Sequence, residues 1–177
     1  MLAYLFVVLA VVVRLLPKPV EWLAFTPVAA SLLFFGAKAP RKRMWIPLLL
    51  LAASDVYLSK VVYAYPLSAD LLVTWSWYAG ILLLGGLLRS NANPLRLAGA
   101  SLTASISFFL VSNFAVWALW NMYPKTLAGL GTAYVAAIPF FRNPVVADLM
   151  FTAVMFGSAA LLERRESKVA AGRITPA

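Results

Sequence analysis

An all-α integral membrane protein, a bundle of about six transmembrane helices, is the fold class this sequence predicts, and three observations predict it. Of the 177 residues, 63% are apolar, and the mean hydropathy is +0.88. Charged residues make up 12%, about half the roughly 25% of an ordinary soluble domain. The apolar residues fall in runs long enough to cross a bilayer, separated by short connections. A soluble domain of this size leaves roughly 30% of its chain surface in water, which so apolar a chain cannot tolerate.

The elements follow in order. A helix crosses a hydrocarbon core of about 30 Å with about 20 residues. The first apolar run covers residues 2–16. It lacks a basic leader and an A-x-A cleavage site and carries Arg14, so it reads as a span rather than a signal peptide. The second run covers residues 23–37, the third 45–58 and the fourth 71–88. The fifth, residues 95–120, is the longest, and the last covers residues 144–162. A further apolar stretch at 127–141 carries Gly129, Gly131 and Pro139.

The charges decide how that stretch is read. There are 15 Lys and Arg against 6 Asp and Glu, a formal charge of +9. With six spans, the inner side holds Lys38, Arg41, Lys42, Arg43, Arg89, Arg96, Arg164, Arg165, Lys168 and Arg173. The outer side holds only Lys18, Lys60, Lys125 and Arg142. Ten against four obeys the positive-inside rule and places both termini in the cytoplasm. A seventh span would put the basic tail outside, so residues 127–141 are expected to be re-entrant or interfacial. Residues 1–163 then form one transmembrane domain, and 164–177 a polar cytoplasmic tail. The basic excess is an orientation signal and a contact with lipid headgroups, not a nucleic-acid surface.

Absent residue types remove whole chemistries. With no His and no Cys, the chain has no imidazole ligand, thiolate nucleophile, disulfide or Ser-His-Asp apparatus. No GxxxxGK[ST] or GxGxxG occurs, so no ATP site or dinucleotide cofactor is expected. No metal or other cofactor is expected either.

The unusual residues gather on the predicted outer side. Ionisable groups inside spans are costly and point to function. Arg14 lies near the outer end of the first run, Asp55 near that of the third, and Asp148 one turn into the last. Arg14 is expected to pair with Asp55 or Asp148. Asn113, Trp117 and Trp120 fall at i, i+4 and i+7 and share one helix face. Trp22, Trp75, Tyr123 and Arg142 join this outer set. An aromatic belt should mark both interfaces, whereas here only Trp45 falls on the inner one. These residues are therefore expected to line a pocket that stacks a flat ligand and hydrogen-bonds its edges. Small-residue stripes, such as Gly80, Gly85 and Gly86 in the fourth run, mark close helix contacts.

The ordered strings RLLPKP, TPVAASLLFFGA, PLLLLAASD and SNFAVWALWNMYPKTLAGLGTAYVAAIPFFRN, ending at Asp148, resemble a family of small bacterial membrane proteins of unknown function. That family is in turn similar to the S-components of energy-coupling factor transporters. This resemblance implies a six-helix subunit of the inner membrane that captures a vitamin-like or heterocyclic molecule from outside. It also implies a T-subunit and an ATPase module as partners. The first run carries no AxxxA pattern of the kind many S-components use for docking.

Two other functions compete. An accessory or assembly subunit of a membrane complex would use the small-residue stripes as its interface. A membrane enzyme would use Asp55 and Asp148 as a carboxylate pair, but no nucleophile–base pair and no DxxxD motif is present.

Overall fold

The computed structural model describes residues 1–17, 19 and 25–173, without the side chains of 171–173. Six helices carry the fold: α1 (Leu2–Leu15), α2 (Val28–Lys38), α3 (Trp45–Tyr57), α4 (Asp70–Gly86), α5 (Pro94–Leu119) and α6 (Leu127–Arg173). No strand occurs among the described residues. Three stretches, Arg41–Val62, Pro94–Leu119 and Leu127–Ala170, are long and apolar enough to cross a membrane.

The helices alternate in direction. In α1 and α2, Tyr4 packs edge-on to Phe35 at 5.2 Å and Phe6 to Phe34 at 4.9 Å, an antiparallel pairing. The α3 helix runs parallel to α1, because Arg43 reaches Tyr4 at one end and Arg14 reaches Asp55 at the other. Trp77 of α4 meets Ser107 of α5, and Ser105 and Phe109 of α5 meet Asp148 and Phe141 of α6. The start of α1 and the later part of α6 therefore lie toward one end of the bundle. There Lys38 bonds Glu163 at 2.8 Å, and Arg89 donates to the carbonyls of Gly36 and Ala39. Arg89 thereby satisfies the exposed carbonyls that end α2.

The core is α2. Every residue from Ala29 to Ala37 is buried, with α1, α4, α5 and α6 packed around it. Lipid tails are as apolar as these side chains, so close fit rather than escape from water holds them together. The closest fit is between α2 and α4. A Cβ on Gly36 would lie 2.2 Å from the Leu82 carbonyl oxygen, and one on Gly85 2.3 Å from that of Leu33. Gly80 and Gly86, of the same predicted stripe, face open space.

Two expectations about element boundaries need correction. The second run was expected to be helical from residue 23, but α2 begins at Val28 behind Pro27; residues 20–24 lie outside the described residues. At 11 residues, α2 is about 16 Å long and stops partway along the bundle. The separate re-entrant or interfacial element at 127–141 is also not seen. Those residues form the first part of α6, which runs unbroken for 47 residues, about 70 Å. Pro139 and Pro144 lie inside it. Proline is tolerated in such helices when neighbouring helices hold the chain in place. Here α5 does so, through the Tyr134 hydroxyl on the Leu110 carbonyl at 2.9 Å and Phe109 against Phe141 at 4.7 Å. Residues 164–173 of the polar tail continue α6 as helix. Its Glu, Arg, Lys and Ala are strong helix formers.

After α3 the chain widens into one π-helical turn, Leu58–Val62, and ends it at Ala64 with φ of 54°. This left-handed conformation costs a non-glycine residue about 1–2 kcal/mol. Against the extra backbone entropy of glycine, Ala64→Gly should stabilise the protein by about 0.5 kcal/mol. A matched thermal or denaturant unfolding series checks it; a loss of stability would mean the turn is not strained.

Candidate functional site

The first turn of α2 faces a space walled by α1, α4, α5 and α6. A cavity of about 230 Å³ occupies it, lined by Thr26, Val28 and Ala29 at the start of α2. Arg14 near the end of α1 and Leu58 and Tyr63 after α3 close one side. Trp77 and Tyr78 of α4, Ser105 and Phe108 of α5, and Pro144 and Asp148 of α6 close the other. Trp77 and Phe108 stack at 4.8 Å, and the indole N–H of Trp77 is held by Ser107 at 2.9 Å.

Two ionised groups meet at its edge. Arg14 forms an ion pair with Asp55, which is only 5% exposed. It also donates to Tyr78 Oη at 3.0 Å and Ser54 Oγ at 3.3 Å. Asp55 Oδ2 accepts the Trp75 indole N–H at 3.0 Å, and Oδ1 lies 3.4 Å from the Tyr78 hydroxyl. The expected partnership is thus Arg14 with Asp55, and α1, α3 and α4 are tied together by it. Such a buried pair, with its remaining lone pairs satisfied, is stable because neither charge is left alone.

Asp148 stands apart from that pair. It is 7% exposed, and Ser105 donates to its Oδ2 at 2.6 Å. Its Oδ1 has no hydrogen-bond partner among the described residues. Two ion pairs occur among the described residues, Arg14–Asp55 and Lys38–Glu163, and Asp148 is in neither. One turn nearer the basic end on both α5 and α6, Ser101 and Thr152 are buried, with hydroxyls that have no partner among the described residues. They line a separate groove of about 620 Å³ that reaches Lys38, Glu163 and Arg164 at the basic end.

Of the residues singled out in the sequence, the structure brings Arg14, Asp55, Trp75 and Asp148 to this region. Asn113 lies in a neighbouring cleft with Phe109 and Phe141, and its Nδ2 donates to the Phe109 carbonyl at 2.8 Å. Trp117 and Trp120 are not in the cavity. They belong to the α5–α6 turn, where Trp117 Nε1 donates to the Pro124 carbonyl at 2.9 Å. Lys125 bonds the carbonyls of both tryptophans and so caps the negative end of α5. Tyr123 is half-buried in the same turn, and Arg142 is exposed on α6. Trp22 lies outside the described residues. Gly129 and Gly131 lie in the first turns of α6; a Cβ on Gly129 would lie 2.1 Å from the Pro124 carbonyl oxygen, so close packing explains that glycine.

Sequence reasoning missed Tyr78, Ser54, Ser105 and Phe108. Tyr78 follows Trp75 at i+3, a spacing that places both on one helix face. A serine in an apolar span carries no comparable signal. No group of three or more His, Cys, Asp or Glu that could hold a metal ion occurs among the described residues.

Together these features define a protein that is all-helical among the described residues, with three helices long and apolar enough to cross a membrane and an aromatic cavity that holds one carboxylate. A family profile, DUF6580, a family of unknown function, matches residues 1–170, and the chain belongs to that family. No curated protein and no solved structure matches it.

Proposed function

We propose that this chain is a multi-pass subunit of the bacterial inner membrane that captures a small molecule, in the manner of an S-component. The reading places the basic end and both termini in the cytoplasm, which agrees with the ten-to-four distribution of basic residues. The cavity then faces outward. The observation that carries the reading is the cavity itself, with mostly apolar walls and the Oδ1 of Asp148, which has no partner among the described residues. Such a mixture of apolar enclosure and few polar anchors is what small-molecule sites have. At about 230 Å³ it suits a ligand of one ring or a little more. Without an ATP motif, power for uptake would come from a separate T-subunit and ATPase module.

Asp148 and Ser105 would anchor the ligand, and Trp77, Tyr78 and Phe108 would stack it. Arg14 and Asp55 would hold the wall. Mass spectrometry of small molecules released from the detergent-purified chain tests this. One compound at near-stoichiometric amount is expected, lost from Asp148→Asn and reduced at least tenfold in Phe108→Ala. Protein that is folded, pure and free of any such compound, in cells grown on rich medium, counts against capture.

The accessory-subunit reading draws on a different observation, the small-residue groove at the basic end with its unpartnered Ser101 and Thr152 hydroxyls. Stable co-purification with one complex, without ligand, would favour it. The enzyme reading has less support, because both oxygens of Asp55 already accept hydrogen bonds from Arg14 and Trp75.

A further inference from the structure

We infer that the molecule the cavity takes is a small organic cation, its charged nitrogen on Asp148 and its carbon frame against Trp77 and Phe108. The inference rests on the capture reading above and names the class of ligand.

Charge balance carries it. Among the described residues Arg14 is the one basic residue in the cavity wall, and it is already bonded to Asp55, Tyr78 and Ser54. With Asp148 ionised, the wall residues Arg14 and Asp148 and the Asp55 paired behind the wall sum to one negative charge, and no other described residue of the wall is an acid or a base that could offset it. Asp148 is nine-tenths buried, and its only hydrogen-bond partner among the described residues is a neutral hydroxyl. A buried carboxylate without a countercharge is expensive. A cation entering the cavity would cancel that charge, whereas an anion would double it. Oδ1 is the open acceptor, and an ammonium or amidinium N–H meets it as a charge-assisted bond.

The rest of the wall agrees. The electron-rich faces of Trp, Tyr and Phe attract a cation within about 6 Å, and most strongly where water is excluded. Trp77, Phe108, Tyr78 and Tyr63 supply four such rings around one small space. A bare metal ion is poorly served, because a single carboxylate and one serine are too few oxygen ligands for a hard cation. The volume sets the size: about 230 Å³ lies below the usual range of drug-sized pockets.

Three probes of one shape separate the charge states: benzamidinium, benzamide and benzoate. Their binding to the full chain in lipid nanodiscs would be followed by tryptophan fluorescence and by equilibrium dialysis. Benzamidinium should bind at least tenfold more tightly than benzamide, and benzoate most weakly. Asp148→Asn should erase the preference to within about twofold. Trp77→Leu, which leaves the carboxylate in place, should weaken benzamidinium several-fold and is the second test if Asp148→Asn fails to fold. Equal binding of the three probes, or preference for benzoate, overturns the cation while leaving capture intact. A neutral or anionic compound released from the native protein does the same. No binding of any probe, with no compound released, removes both the inference and the capture reading.

Discussion

Replacing Asp55 by leucine alone should destabilise the protein by about 3–5 kcal/mol, the usual effect of stranding one member of a buried ion pair. Arg14 would lose its countercharge while staying packed between α3 and α4. Arg14→Met alone should cost a similar amount, since it strands a carboxylate that is only 5% exposed. The double replacement, Arg14→Met with Asp55→Leu, should recover most of the loss, because an apolar pair of similar volume needs no desolvation. The two positions touch, so their effects will not add. Unfolding in SDS or by heat, measured for both single variants and the double, checks this. If the double costs as much as the two singles summed, the pair does not hold the helices together. Trp75→Phe, which removes one neutral donor to Asp55, should cost only about 1 kcal/mol.

The second large effect is expected on the other side of α2. Gly36→Ala or Gly85→Ala puts a methyl group 2.2–2.3 Å from a carbonyl oxygen of the facing helix. No side chain can move aside, because the obstacle is backbone. The helices must separate, and the contacts around α2 are lost with them. Overpacking usually costs 1–3 kcal/mol; a backbone obstacle at this distance should bring it to about 3 or more. Gly80→Ala and Gly86→Ala are the internal controls. Nothing lies within 4 Å of either added methyl, and alanine is the better helix former by roughly 0.5–1 kcal/mol. Two glycines of one helix should therefore move stability in opposite directions. Equal effects at Gly85 and Gly86 would mean that α2 and α4 do not meet as described.

Much of this was legible in the chain. Composition alone carries the membrane class, and the six apolar runs correspond to six helices. The cost of a charge in an apolar span pointed to Arg14, Asp55 and Asp148, and all three lie in or beside the cavity wall. Residues whose meaning depends on a distant partner were harder to read. The face shared by Asn113, Trp117 and Trp120 is real helical geometry, but Pro124 and Lys125 claim Trp117, and nothing local announces that. Ser105 has no sequence signal because its importance comes from Asp148, 43 positions away. The break expected at residues 127–141 failed for a similar reason. Glycine and proline mark weak helix locally, yet α5 lies alongside and α6 continues through them. The start of α2 was misplaced because hydropathy registers an apolar residue equally in helix or in loop.

The brevity of α2 also bears on how the protein is made. A segment of 11 residues is about half of what a bilayer span needs, so insertion machinery has little reason to retain it unaided. All nine of its central residues are covered by other helices rather than by lipid. The glycine that receives it, Gly85, is synthesised some 50 positions later than Gly36. During translation α2 must therefore wait, and it settles only when α4 arrives with its glycine face and Arg89 with its cap. A nascent chain stopped before α4 should leave residues 28–38 outside the bilayer, and one stopped after Arg96 should have drawn them in.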